Sequence, residues 1–398
     1  MQSHQIETLK AELKDVLENN ILRFWLQMRD AEHGGFYGQM TGNGRLMKQA
    51  DKGAILNARI LWTFSAAYRM LKKEEYLQMA THAKRFLIDH FYDKEFGGVY
   101  WSLNYKGEPV DTKKQIYALG FAIYGLSEYV RATGDEEALQ YAIKLFHSIE
   151  EHSFDTVKNG YFEAFTRQWT AIADMRLSEK DRNECKTTNT HLHILEPYTN
   201  LYRVWKDDTL KQQLGNLIRL FSDKIVNPTT GHLELFFDDD WNSKYAMHSY
   251  GHDIEASWLL HEAAIVLGNE ALLQQVEPLV KHLSHAADEG LNPDGTMIYE
   301  TILCRNHTDR DLHWWVQAEN IVGHLNLYQH FKDETALHTA LRCWDFVKTH
   351  LIDYANGEWH WSIRANGSVN LDDDKAGFWK CPYHNSRMCI ETIGRVLK

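Results

Sequence analysis

Along most of this chain apolar positions recur with a helical period, broken at near-regular intervals by a glycine followed by aromatic or branched residues. The six breaks, HGGFYGQM from His33, FGGVYWSL from Phe96, NGYFEAF from Asn159, TGHLELFF from Thr230, PDGTMIYE from Pro293 and NGEWHWSI from Asn356, start about 60 to 70 residues apart. Glycine permits a tight turn, and the alternation after it predicts a short strand. Between breaks the pattern predicts two helices. The first is apolar nearly all round, over 55–70, 116–132, 192–205, 254–267, 316–331 and 385–397. The second carries a single apolar stripe, over 75–91, 136–152, 208–226, 270–286 and 334–351, with 3–28 supplying the sixth. A helix apolar all round is buried and a striped one is peripheral. The expectation is therefore all-α, an (α/α)6 barrel of six inner and six outer helices with short β-hairpin loops at one mouth. A closed ring leaves no apolar end exposed, which favours it over an open solenoid. No Pro-, Gly- or Ser-rich linker interrupts the pattern, so one catalytic domain over 1–398 is expected.

In such a ring the inner helices run one way and their starts gather at one mouth. The polar residues at those starts are unusual. MHSYGHDIEASWLL, Met247 to Leu260, predicts a helix from about His252, with His252 and Glu255 on one face, Trp258 beside them and His248 one turn earlier. ECKTTNTHLHILEPY places Asn189 and His193 four apart, with Asp181 upstream; that pairing selects His193 and leaves His191 as a packing or surface residue. The remaining starts carry Arg59, Tyr117, the group Trp314, Trp315 and Glu319, and the group Trp379, His384 and Arg387. Buried polar groups are destabilising unless they are satisfied, so a ring of them at one mouth calls for a functional reason.

Exposed tryptophans among polar groups are suited to stacking on sugar rings. Two histidines on facing helices can act as base and acid near neutral pH. Sugar hydrolysis would rest on a carboxylate pair, for which Glu255 and Glu319 are available, yet histidines dominate the set. The combination favours proton abstraction next to a carbonyl, with an arginine and a helix start stabilising an enediolate. His248, His252 and Glu255 have ligand-capable spacing, but HExxH is absent and no metal is expected.

Composition narrows the partners. The formal net charge of -12 and the lack of any basic run argue against nucleic acid or an anionic membrane. The first 25 residues are charged and amphipathic without an apolar stretch, and no run of 18 apolar residues occurs anywhere, so a soluble cytoplasmic protein, monomer or homodimer, is expected. The five cysteines are scattered and never in CxxC, which reads as reduced packing residues.

HSYGHDIEASWLL, NTHLHILEPY, LNARILWTFSAAYR, WWVQAEN and WKCPYHNSRMCIE together resemble the ordered motifs of the N-acylglucosamine 2-epimerase superfamily, from about Phe24 to Met388. FWLQMRDAEHGGFYGQM and ADKGAILNARILW resemble the branch of it that acts on cellobiose. The resemblance implies a disaccharide substrate, cellobiose and by tolerance lactose, inverted at C2 of the reducing-end glucose, without metal or nucleotide cofactor. It implies His384 and His252 as the acid/base pair, His193 assisting ring opening, Arg59 binding the oxyanion, and Glu255 orienting His252 or a hydroxyl. Trp315 and Trp379 would stack on the sugar, with Trp258, Glu319, Tyr117, Asn189 and Asp181 as supporting contacts. An aldose–ketose isomerase or an N-acylglucosamine epimerase on the same barrel would share these groups; a hydrolase or lyase, or a sugar- or protein-binding barrel, would use them differently. The stretch between Asp294 and Leu312 carries no recognisable motif and is expected as a loop beside the sugar site.

Overall fold

In a computed structural model, which describes residues 2–396, outer and inner helices alternate along the chain. The outer helix α1 (Gln2–Asp15) runs through a widened turn (Val16–Leu22) into α2 (Arg23–Gln27). There follow inner α3 (Ala54–Leu71), outer α4 (Glu74–Phe86), inner α5 (Ile116–Thr133) and outer α6 (Glu136–His152). Inner α7 (Thr188–Val204), outer α8 (Asp208–Leu220), inner α9 (Tyr250–Leu267) and outer α10 (Glu270–Ala287) come next. Inner α11 (Trp314–Phe331), outer α12 (Glu334–Phe346) and inner α13 (Tyr383–Glu391) complete the set. Each inner helix packs on the next, and α13 returns to α3, so the ring is closed. Position 397, the expected end of the last helix, lies outside the described residues.

Local chemistry explains the helix ends. Asp135, Asp207, Asn269 and Asp333 each accept a hydrogen bond from the backbone N–H three residues on, capping four outer helices. Four inner helices stop at a left-handed residue, Lys72, Gly134, Gly268 or Lys332.

The glycine breaks form the rim. Each makes a narrow turn closed by a single bridge, for example Arg29 to Phe36, Tyr92 to Val99 and Phe154 to Tyr161, rather than a full strand. Short antiparallel pairs then stitch each module to the next: 52–53 with 102–103, 114–115 with 164–165, 186–187 with 236–237, 247–249 with 300–302, and 312–313 with 362–363. A bridge from Met40 to Ala376 joins the first module to the last. Beneath three of these stitches lies a buried ion pair, Asp30 with Lys52 (2.7 Å), Asp93 with Lys114 (2.8 Å) and Asp155 with Lys186 (2.7 Å). Each lysine stands two residues before an inner helix and each aspartate opens a glycine turn, so the pair fixes turn to helix start. The stretch expected as a loop after Asp294 is instead a hairpin, 300–302 against 307–309, added to strand 247–249. Among the described residues no helix is long and apolar enough to cross a membrane.

Candidate active site

The starts of the inner helices surround a cavity of about 910 Å³. Arg59, Tyr117, Asp181, Asn189, His193, His252, Glu255, Trp315, Trp379 and His384 all line it. Trp258 and Glu319 do not. Both are sealed behind the wall, where the Trp258 indole N–H donates to Glu319 Oε2 at 2.9 Å; neither is a sugar contact.

Each histidine has one ring nitrogen pinned. Nδ1 of His384 donates to Glu319 Oε1 at 2.7 Å, and Nδ1 of His193 to Glu196 Oε2 at 3.0 Å. A carboxylate only accepts, so both rings carry the proton on Nδ1 and keep a lone pair on Nε2. His252 Nδ1 meets the Ser249 hydroxyl at 2.7 Å, a partner that can donate or accept and so leaves either tautomer open. Glu255, expected to orient His252 or a substrate hydroxyl, lines the cavity but does not meet His252; it lies 4.0 Å from His384 Nδ1 and bonds to Arg387. His252 and His384 both pack against the Trp315 ring, at centroid distances of 4.9 and 5.6 Å. Burial pushes both imidazoles down to about 3, for His384 against the opposing pull of Glu319, so both are neutral at physiological pH.

Arg387, fully buried, is the hub below the cavity floor. Its Nη2 donates to Glu255 and to Glu319, each at 2.7 Å, and its Nη1 to Glu196 and to the Tyr383 hydroxyl. Two carboxylates on one guanidinium nitrogen cannot both ionise cheaply. Burial opposes the charge of Glu319, but Arg387 and His384 outweigh it and hold that carboxyl at about 2. Burial, then the charge of Glu319, raises Glu255 well above the ordinary range, so of the two carboxyls on Arg387 Nη2 it is Glu255 that takes up a proton more readily. Glu255, Glu319 and His384 bring ligand atoms within 4.8 Å of one another, yet the cation already among them is Arg387.

Arg59 is 3% exposed, with Nη2 on the Tyr117 hydroxyl at 2.9 Å and its plane over Phe121 and Tyr383 at 4.1 and 4.6 Å. Its Nε has no partner, and among the described residues no carboxylate lies within ion-pair distance. An unneutralised guanidinium at a cavity wall is available to an oxyanion. The buried Oδ1 of Asn189 is likewise unpaired, an acceptor open to a ligand hydroxyl. Trp315 and Trp379 are partly exposed into the cavity.

Other placements add to the sequence expectation or decide between its alternatives. His248 lies on strand 247–249 and not on α9, and it stacks on His232. His191 is a packing residue with no surface: Nδ1 donates to Thr187 O at 2.6 Å and Nε2 accepts from the Tyr161 N–H at 2.9 Å. The hairpin after Asp294 contributes Tyr299, Glu300 and Asp309 to the cavity wall. Glu196, three residues after His193 on the same helix face, was not singled out although that spacing could have found it; Arg387 was named at the sixth helix start, but not as the partner of three carboxylates.

The profile of the N-acylglucosamine 2-epimerase (GlcNAc 2-epimerase) family matches residues 34–387. The cellobiose 2-epimerase of Bacteroides fragilis is 67% identical over 389 residues, 98% of this chain and 99% of that protein. That of Ruminococcus albus is 42% identical over 390 residues, 97% and 98% of the two chains. The solved structure of cellobiose 2-epimerase from Bacillus thermoamylovorans B4167 superposes with a TM-score of 0.93 at 44% identity, over 98% of this chain and 100% of that one.

Proposed function

The chain belongs to the N-acylglucosamine 2-epimerase family and is a carbohydrate 2-epimerase, and from that premise we propose that it acts on cellobiose, inverting C2 of the reducing-end glucose to give 4-O-β-glucosyl-mannose. Lactose, which presents the same reducing-end glucose, would give epilactose. The observation that carries the mechanism is the pair of neutral histidines, His384 and His252, pinned at Nδ1 and flanking Trp315 in one cavity.

Inversion requires a proton to leave C2 on one face and return on the other. His384, with its Nε2 lone pair fixed by Glu319, is the base for one face and becomes an imidazolium. His252, in the tautomer with its proton on Nε2 and Nδ1 accepting from Ser249, delivers that proton to the other face, and the proton held by His384 returns to His252 through solvent before the next turnover. Only an open-chain sugar has the carbonyl that acidifies C2, so the ring must first open, the task assigned to His193 with its Nε2 lone pair. As the C2 proton leaves, negative charge develops on the carbonyl oxygen, where the Arg59 guanidinium, with no carboxylate partner among the described residues, and the inner-helix N-termini favour it. Trp315 and Trp379 offer ring faces to the sugars, with Tyr117, Asn189, Asp181 and the 300–309 hairpin as further contacts.

This scheme uses residues from all six inner helices and the rim between them, consistent with one catalytic domain over 1–398. Glycoside hydrolysis fits less well, because Glu319 does not reach the cavity and cannot flank a glycosidic bond with Glu255. Incubating the protein with cellobiose and resolving the products by chromatography tests the assignment: a mannose-ended disaccharide is expected, and free glucose or a fructose-ended product would replace it with hydrolysis or isomerisation.

A further inference from the structure

The fourth module breaks the pattern of buried Asp–Lys pairs. At the position of Asp30, Asp93 and Asp155 it has Asn227, whose backbone closes the same glycine turn. At the position of Lys52, Lys114 and Lys186, two residues before the inner helix, it has His248. The ion pair that ties turn to helix start in those three modules is therefore missing here. His232, from the glycine turn, stands in its place with its ring stacked on His248, centroids 3.5 Å apart. Glu289, just past α10, brings its carboxylate to 3.3 Å from His232 Nε2.

We propose that His232, His248 and Glu289 form a binding site for one divalent transition-metal ion of the zinc class, separate from the catalytic cavity. One ligand atom from each residue lies within 4.8 Å of the other two. Two imidazoles and a carboxylate are a donor set that zinc accepts, with a fourth position left for water. That position has room, because His232 and His248 line a second cavity of about 430 Å³. The supporting shell is also built. Asp253, fully buried, accepts from His232 Nδ1 at 2.7 Å through Oδ2, while its Oδ1 accepts from the Leu233 N–H at 2.8 Å. A carboxylate on Nδ1 fixes the tautomer that presents Nε2 to a metal and raises its basicity. The rings are nearly parallel, at 19°, so His248 must turn for both to meet one ion. Among the described residues no hydrogen bond holds the His248 ring in place. An ion here would join the turn at His232, the end of α10 and strand 247–249, the junction that an Asp–Lys pair secures in three other modules.

The test is titration calorimetry of tag-free protein, stripped with EDTA and desalted, with zinc chloride alone. One saturable ion per chain is expected, with a rise in melting temperature at saturation. His248→Ala should weaken binding at least tenfold, and the double variant H248A/E289Q should abolish the melting shift, while both keep the circular dichroism of the metal-free parent. His384→Ala, which disrupts the cluster below the catalytic cavity, should bind zinc as the parent does. Absence of saturable uptake, uptake unchanged in H248A/E289Q, or uptake lost in H384A would each overturn the proposal.

Discussion

Glu319 accepts the Nδ1 proton of His384 at 2.7 Å, from a position closed to the cavity that His384 lines. A carboxylate so placed cannot touch substrate. It acts through the histidine, fixing its tautomer and stabilising the imidazolium that forms when the ring takes a proton.

Glu319→Gln keeps the shape but removes the charge. The account expects kcat to fall about 10²-fold or more with KM little changed, because the lost interaction strengthens only as His384 becomes charged. Steady-state kinetics on cellobiose check this; a change confined to KM would mean that Glu319 serves substrate binding.

Arg387 is the one guanidinium held by Glu196, Glu255 and Glu319. Replacing it with methionine leaves buried carboxylates without their counter-charge. A loss of about 3–5 kcal/mol of stability is expected, read by urea denaturation. Adding E196Q should restore more than E255Q, since, against burial, Arg387 lowers the Glu196 carboxyl, while that of Glu255 is raised even beside it.

Neutral buried histidines make stability fall on acidification. His252 and His384 sit at about 3 and His191 at about 4 in the folded chain, all pushed down first by burial, against an ordinary value of 6.5. Between those values the unfolded chain binds more protons, so stability is fully present above pH 6.5 and drains away as pH drops, through about 4 for His191 and about 3 for His252 and His384. Each such group contributes a slope of at most about 1.4 kcal/mol per pH unit. His191→Gln should lower stability at pH 7 and flatten the slope by one group's share, while kcat of the folded variant stays near that of the parent.

Trp315 packs against both His252 and His384, whereas the ring contacts of Trp379 among the described residues are with Trp101, Tyr117 and Phe378. Trp379→Ala should raise KM about tenfold with a smaller effect on kcat, and Trp315→Ala should lower both kcat and kcat/KM. Equal kinetic profiles for the two variants would contradict this division.

The barrel was legible because closure depends on apolar periodicity, which a linear sequence displays directly. Its boundaries were less so: α7 begins at Thr188, four residues before the apolar pattern, because its first turn, TNTH, is polar yet buried against the site. His193 was separable from His191 by spacing, but the Nδ1 partner of each was not. Glu196 meets Arg387 across 191 positions of sequence, and no local pattern encodes such a pair. Lys52, Lys114 and Lys186 repeat visibly before three inner helices. A lysine reads as a surface residue until its buried aspartate is seen, so that repeat went unrecognised. Trp258 sat at the right helix start, but which side of the helix wall an indole occupies is decided by packing, and here Glu319 claims it.

The most direct test is NMR of the protein with cellobiose in D2O, following the reducing-end sugar. The account predicts a new mannose-type anomeric signal, with deuterium entering C2 as it grows, and loss of both in His384→Ala despite a native fold. Epimerisation without deuterium at C2, or undiminished in that variant, would contradict proton transfer by the His384 and His252 pair.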